Sequence, residues 1–100
     1  MVQNPSQDGL YKIQLIRPEK KGYGVQIAFL SDYESVFRKV ADLQSDWFKN
    51  ILVSVSGKGD ATKYRIILGP FPDAKTAEAY KTSLLKKKKR KGFVVDLSTL

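Results

Sequence analysis

The residues that could do chemistry fall into two sets, a cationic run near the end and a small polar group on predicted strands. The run is Lys86-Lys87-Lys88-Lys89-Arg90-Lys91. Such a run neutralises phosphates and releases their counterions. It equally suits a solvated helix end facing the negative pole of the helix dipole. Six cations exceed what capping requires, so contact with an anionic polymer or with lipid head groups is one expectation. The polar group is Gln26 and Arg65, with Ala28 and Ile67 beside them. An amide and a guanidinium next to small or flat apolar surface suit an uncharged ligand rich in hydroxyls and amides. Several hydrogen bonds and contact with sugar-like rings would hold it in a shallow groove.

Catalysis has little support. The chain has no histidine and no cysteine, which removes the commonest general base, the commonest metal ligand and any serine or cysteine triad. The ten acidic residues are scattered. Gly57-Lys58-Gly59-Asp60 lacks the length of a phosphate loop and the Lys-Ser/Thr that follows one, so it reads as a hairpin turn. The expectation is a binding protein without metal or cofactor.

These residues are positioned by a unit running from Tyr64 to Tyr80, YRIILGPFPDAKTAEAY. Tyr64 to Leu68 is β-branched and aromatic, hence a strand. Gly69-Pro70 breaks it, Phe71 plugs the core, and Asp73 caps a helix from Ala74 to about Lys87. Ala74, Ala77, Tyr80 and Leu84 repeat on one face of that helix, and Gly92 is expected to stop it. Upstream, Met1 to Gly9 reads as a disordered lead-in or linker, and Leu10 to Ile16 alternates as an extra edge strand ended by Pro18. Tyr23 to Leu30 is the next strand. Ser31-x-x-Glu34 predicts a capping box, followed by a helical stripe of Tyr33, Val36, Phe37, Val40 and Leu43. Ile51 to Val55 and Phe93 to Leu97 complete the strands.

One hundred residues make about one domain, so the chain divides into a lead-in (1–9), an extra strand and turn (10–21) and the main domain (22–100). From Tyr23 the order is strand, helix, strand, strand, helix, strand. Two helices with one apolar face each would lie on one side of a four-stranded antiparallel sheet. That is the α+β, ferredoxin-like split βαβ architecture. The other face stays open, and strand alternation puts Gln26, Ala28, Arg65 and Ile67 on it.

Several motifs together resemble the SPOR (sporulation-related repeat) domain. They are Tyr23-x-Val25-Gln26-Ile27 before a capped helix, then Tyr64-Arg65-Ile66-x-Leu68-Gly69-Pro70-Phe71 with Ala74, Ala77 and Ala79, and last Gly92-Phe93-Val94-Val95. The resemblance spans about Gly22 to Leu97. It implies binding of bacterial peptidoglycan, with preference for glycan strands stripped of stem peptides. It also implies a targeting role in a larger envelope or cell-division protein. Its glycan contacts lie on the open sheet face and include the first-strand glutamine, which is Gln26 here. The chain departs from the pattern at Phe29 and Leu30, at Ser35-Val36, and at Asp32, where the family often has asparagine. A carboxylate at Asp32 would alter which sugar groups are tolerated, so Asp32 joins the candidate site.

The same resemblance implies a periplasmic or envelope location within a longer exported or membrane-anchored protein. MVQNPSQDG carries no signal pattern, so such a segment is expected outside this chain. The net charge of +8 extends the partners to an anionic cell-wall polymer or lipid head groups. Bland readings stand beside these. Gln26 could be a polar residue on a solvated strand, and Arg65 half of a cross-strand ion pair. Tyr23, Phe29 and Tyr64 are more often core than stacking rings. Trp47 would stack on sugar if exposed, and burial beneath the core is the expectation. The rival functions are RRM-like binding of single-stranded RNA, echoed by Lys91-Gly92-Phe93, and a protein-interaction module.

Overall fold

The computed structural model describes residues 9–12, by their backbone, and residues 21–100. The elements are β1 (Gly9–Lys12), β2 (Tyr23–Leu30), α1 (Tyr33–Ser45), β3 (Ile51–Ser56), β4 (Lys63–Phe71), α2 (Ala74–Lys88) and β5 (Phe93–Asp96). They form one antiparallel sheet in the order β1-β3-β4-β2-β5. Strands β2 to β5 and the two helices make the ferredoxin-like arrangement expected from the order of elements. β1 pairs with β3 at the edge, Gly9 opposite Val55 and Lys12 opposite Leu52. The rest of the expected Leu10–Ile16 strand, the turn after it, and residues 1–8 lie outside the described residues.

Both helices bury part of their stripes in one cluster, while Ala74, at the start of the α2 stripe, is exposed. Val36, Val40 and Leu43 of α1 and Ala77 and Leu84 of α2 meet Val25, Ile51, Val55, Tyr64, Ile66 and Leu68 of the sheet. The helices therefore share one side. Phe37, read as part of the stripe, is instead exposed, its ring edge-on to Tyr33 at 4.6 Å.

The opposite side is not wholly open. After β5 the chain makes a 3-10 turn, Leu97–Thr99, started by Asp96, whose carboxylate accepts from the Ser98 N–H and hydroxyl. The Leu97 N–H donates to the Gly22 carbonyl at 3.0 Å. This seats Leu97 on Leu52 and Ile67, with Val95 and Leu100 alongside, as a second small core. The last strand was expected to run to Leu97; its early end makes the cover.

Several boundaries differ from the sequence reading. α1 is capped by Asp32 rather than Ser31, with Oδ1 accepting from the Ser35 N–H at 2.8 Å and Oδ2 from the Ser35 hydroxyl at 2.9 Å. β2 stays paired through Leu30, so the helix starts one residue late, and the Ser31 hydroxyl takes the Lys63 ammonium instead. Nor does Gly69-Pro70 end β4. The pair, joined by a cis peptide, absorbs an extra residue between the Val25–Leu68 and Tyr23–Phe71 pairings. Gly69 is needed there: its φ is 151°, and an added Cβ would lie 3.1 Å from the Tyr23 carbonyl oxygen. α2 ends at Lys88, before Gly92, because Lys89 turns left-handed at φ 58°. Trp47, expected to be buried, follows α1 at φ 70° and is 82% exposed.

Candidate functional site

The uncovered part of the free face lies beside β2 and the start of β5. A bulge shapes it. Gln26 pairs with Ile67 and Ala28 with the adjacent Ile66, so Ile27 is an extra residue on β2. A one-residue slip turns every later side chain to the other face. Ala28 therefore packs on the helix-side cluster, and Phe29 takes the free-face position opposite Arg65. The Arg65 guanidinium sits 4.9 Å from the centre of the Phe29 ring, and its Nη1 donates weakly to the Ser56 hydroxyl at 3.4 Å.

On the other side of Gln26 lies Phe93, its pairing partner in β5. β5 pairs no further than this, so the edge of β2 from Ile27 to Leu30 has no neighbour on that side among the described residues. Gly92 lets the chains meet closely there: an added Cβ would lie 2.6 Å from Val25 Cγ1 and 2.9 Å from the Gln26 carbonyl oxygen. The result is a shallow depression of about 300 Å³ lined by Gln26, Ile27, Ala28, Phe29, Lys91, Gly92 and Phe93.

Its chemistry is that of recognition. Phe29 and Phe93 are each about half exposed, whereas Gln26 between them is only 6% exposed. Among the described residues nothing hydrogen-bonds the Gln26 side-chain amide. Its polar atoms keep some contact with solvent, and an amide whose hydrogen bonds go only to water can exchange them for those of a ligand. Two apolar rings flanking an amide donor and acceptor match a sugar, with C–H faces to stack and hydroxyl or acetamido groups to bond. The carboxyls of Asp32 and Asp73 are held below the usual range chiefly by the backbone N–H groups of Ser35 and Thr76, and that of Asp96 chiefly by the Ser98 hydroxyl. All three are caps. Among the described residues no three metal-ligating side chains come together.

The predicted site residues are thus brought together only in part. Gln26 and Arg65 share the free face as expected. Ala28 is corrected to the helix side, although it still edges the depression. Ile67 is on the expected face but fully buried under Leu97, so it offers no surface. Asp32 is at the α1 N-terminus with both oxygens engaged in capping. Phe29 was weighed as core and Phe93 was not considered as a contact. The alternation Phe93–Val95 against Val94 carried a signal for Phe93; nothing local announced the bulge that exposes Phe29.

The cationic run is also divided. Arg90 folds back on α1, Nη1 lying 3.1 Å from Asp42 Oδ2 and Nε 3.4 Å from Asp46 Oδ2, with its guanidinium over the Phe48 ring. Lys88 reaches Asp46 Oδ1 at 3.1 Å and, more than Arg90, holds that carboxyl below the usual range. Both are structural. Lys86, Lys87, Lys89 and Lys91 remain exposed and without an ionic partner among the described residues.

Fold and face together define a small α+β module with a shallow, ring-flanked face on its sheet. The SPOR domain family model matches residues 19–96, and the chain belongs to that family, a non-catalytic peptidoglycan-binding family of envelope and periplasmic proteins. The match begins after β1, which adds a fifth strand outside the matched span. No curated protein and no solved structure matches the chain. No helix among the described residues is long and apolar enough to cross a membrane.

Proposed function

We propose that the face made by Gln26, Phe29, Arg65 and Phe93 binds peptidoglycan glycan strands stripped of stem peptides, and that the domain thereby targets a larger envelope or cell-division protein. The observation that carries this reading is the unpartnered Gln26 amide at the floor, between two half-exposed rings. Sugar rings stack on Phe29 and Phe93, the amide bonds the substituents between them, and Arg65 reaches oxygens at the Phe29 end. A shallow depression open along the β2 edge suits a linear polymer that continues past the site. Asp32 acts as a helix cap, and Ile67 supports the face from beneath.

Co-sedimentation with purified sacculi, before and after amidase removal of stem peptides, tests the reading. Retention is expected to rise after amidase treatment and to persist at moderate salt. Arg65→Ala and Phe93→Ala are each expected to weaken it. Retention that ignores amidase and disappears at moderate salt would reduce binding to lysine-driven adsorption. RRM-like capture of single-stranded RNA has one observation in its favour, two exposed rings on a basic domain. Salt-resistant RNA binding with no retention on sacculi would establish it instead.

A further inference from the structure

Behind the free edge of β2 lies a second hollow, about 250 Å³, lined by Ile27, Lys39, Lys89, Arg90 and Lys91. Four cations share it, and among the described residues only Arg90 is neutralised, by Asp42 and Asp46. Lys39, Lys89 and Lys91 have no anionic partner among the described residues. Like charges gathered around one hollow repel one another, and an anion placed between them removes that repulsion.

The backbone at this corner is held in place. Lys89 closes α2 in the left-handed region, a position that glycine fills at lower energy. Its N–H donates to the Leu85 carbonyl at 3.1 Å, and the Arg90 N–H to the Leu84 carbonyl at 3.4 Å. The Arg90 side chain then ties this corner to the same helix that carries Lys39. The clamp thus sets two lysines of one segment against a third from α1.

We propose that Lys39, Lys89 and Lys91 bind a phosphate group, carried as a substituent on the sugar chain that occupies the neighbouring depression. Three ammonium groups match the oxygens of a tetrahedral phosphate better than the two of a carboxylate. The two hollows share Ile27 and Lys91, so one ligand crossing the β2 edge meets rings on one side and lysines on the other. That the phosphate is sugar-borne rests on the glycan reading above; the phosphate site itself does not.

The test is an amide-resolved NMR titration of the full ¹⁵N-labelled chain with N-acetylglucosamine 6-phosphate, N-acetylglucosamine and inorganic phosphate, alongside co-sedimentation with phosphatidylglycerol vesicles. The phosphosugar should give saturable shifts at Lys39, Lys89 to Gly92 and Gln26, at lower concentration than either fragment. Lys39→Gln and Lys89→Gln should each raise the half-saturating concentration roughly fivefold. The double variant Lys58→Gln/Lys75→Gln, which removes charge elsewhere, should leave it unchanged. Equal weakening by that control would mean diffuse attraction and overturn the proposal. So would vesicle binding lost in Lys39→Gln without phosphosugar saturation, which would point to a lipid surface. Equal half-saturation by inorganic phosphate and phosphosugar would overturn the sugar-borne part. Sacculus binding without phosphosugar shifts would sink this inference alone. Phosphosugar saturation without sacculus binding would sink the glycan reading and leave the phosphate site standing.

Discussion

Replacing Gln26 with methionine is expected to stabilise the fold while weakening glycan binding, two effects of opposite sign from one side chain. Gln26 is 6% exposed and its amide has no hydrogen-bond partner among the described residues, although its polar atoms are not completely sealed. An unpartnered buried amide costs about 1–3 kcal/mol, and residual water contact puts this one at the lower end. Methionine has similar length, no branching and no polar demand, and adapts to irregular gaps. The stability gain should be about 0.5–1.5 kcal/mol, or roughly 2–12 °C in melting temperature for a domain of this size. Urea unfolding followed by far-UV circular dichroism measures it; Trp47 fluorescence is a poor reporter, because that ring is already exposed. Sacculus retention should fall by roughly tenfold, the loss expected for a desolvated hydrogen-bonding group. Destabilisation by more than about 1 kcal/mol would mean that the amide is paired in the native protein, contrary to the reasoning. Stabilisation with full retention would place the binding face elsewhere.

Leu97→Ala should cost about 2–3 kcal/mol, the low end for a buried leucine because the site is a small cluster near the chain end; a urea midpoint within error of the parent would refute the seat on Leu52 and Ile67. Gly92→Ala should cost about 1–3 kcal/mol through overpacking against Val25 and the Gln26 carbonyl. It should also weaken sacculus retention, since β5 carries Phe93, and unchanged values of both would contradict the close approach. The pH dependence follows from the caps. The carboxyls of Asp32, Asp73 and Asp96 lie below their unfolded value of 3.8, so their stabilisation is complete above it and is lost as pH falls through the folded values. With no histidine in the chain, the urea midpoint should stay level from about pH 7 to pH 5 and drop below about pH 4. A decline already present between pH 7 and pH 5 would show a titrating group outside these caps.

The order of elements, their periods and the α2 cap were legible along the chain because each is encoded by neighbours a few residues apart. Asp73 before Ala74, the stripe Val36-Val40-Leu43 and the apolar run of β4 needed no distant partner to be recognised. The face of each strand was legible only while alternation held. Gln26 and Arg65, on the near side of the irregularity or on the other strand, were placed correctly. Ala28 and Phe29 were exchanged, because whether Ile27 bulges depends on its pairing with a strand some forty positions away.

The same division holds for what covers and what stays free. The sequence alone determined a split βαβ module with a family-specific strand corner, a strand glutamine and a surplus of cations, since composition and short-range pattern are sufficient for these. The tertiary structure decided that Leu97 covers Ile67, that Trp47 stands in solvent, and that Arg90 belongs to α1 while Lys89 and Lys91 have no anionic partner among the described residues. Those outcomes depend on which distant groups meet when the sheet closes, and a side chain's burial and charge partners are properties of that meeting rather than of its neighbours along the chain.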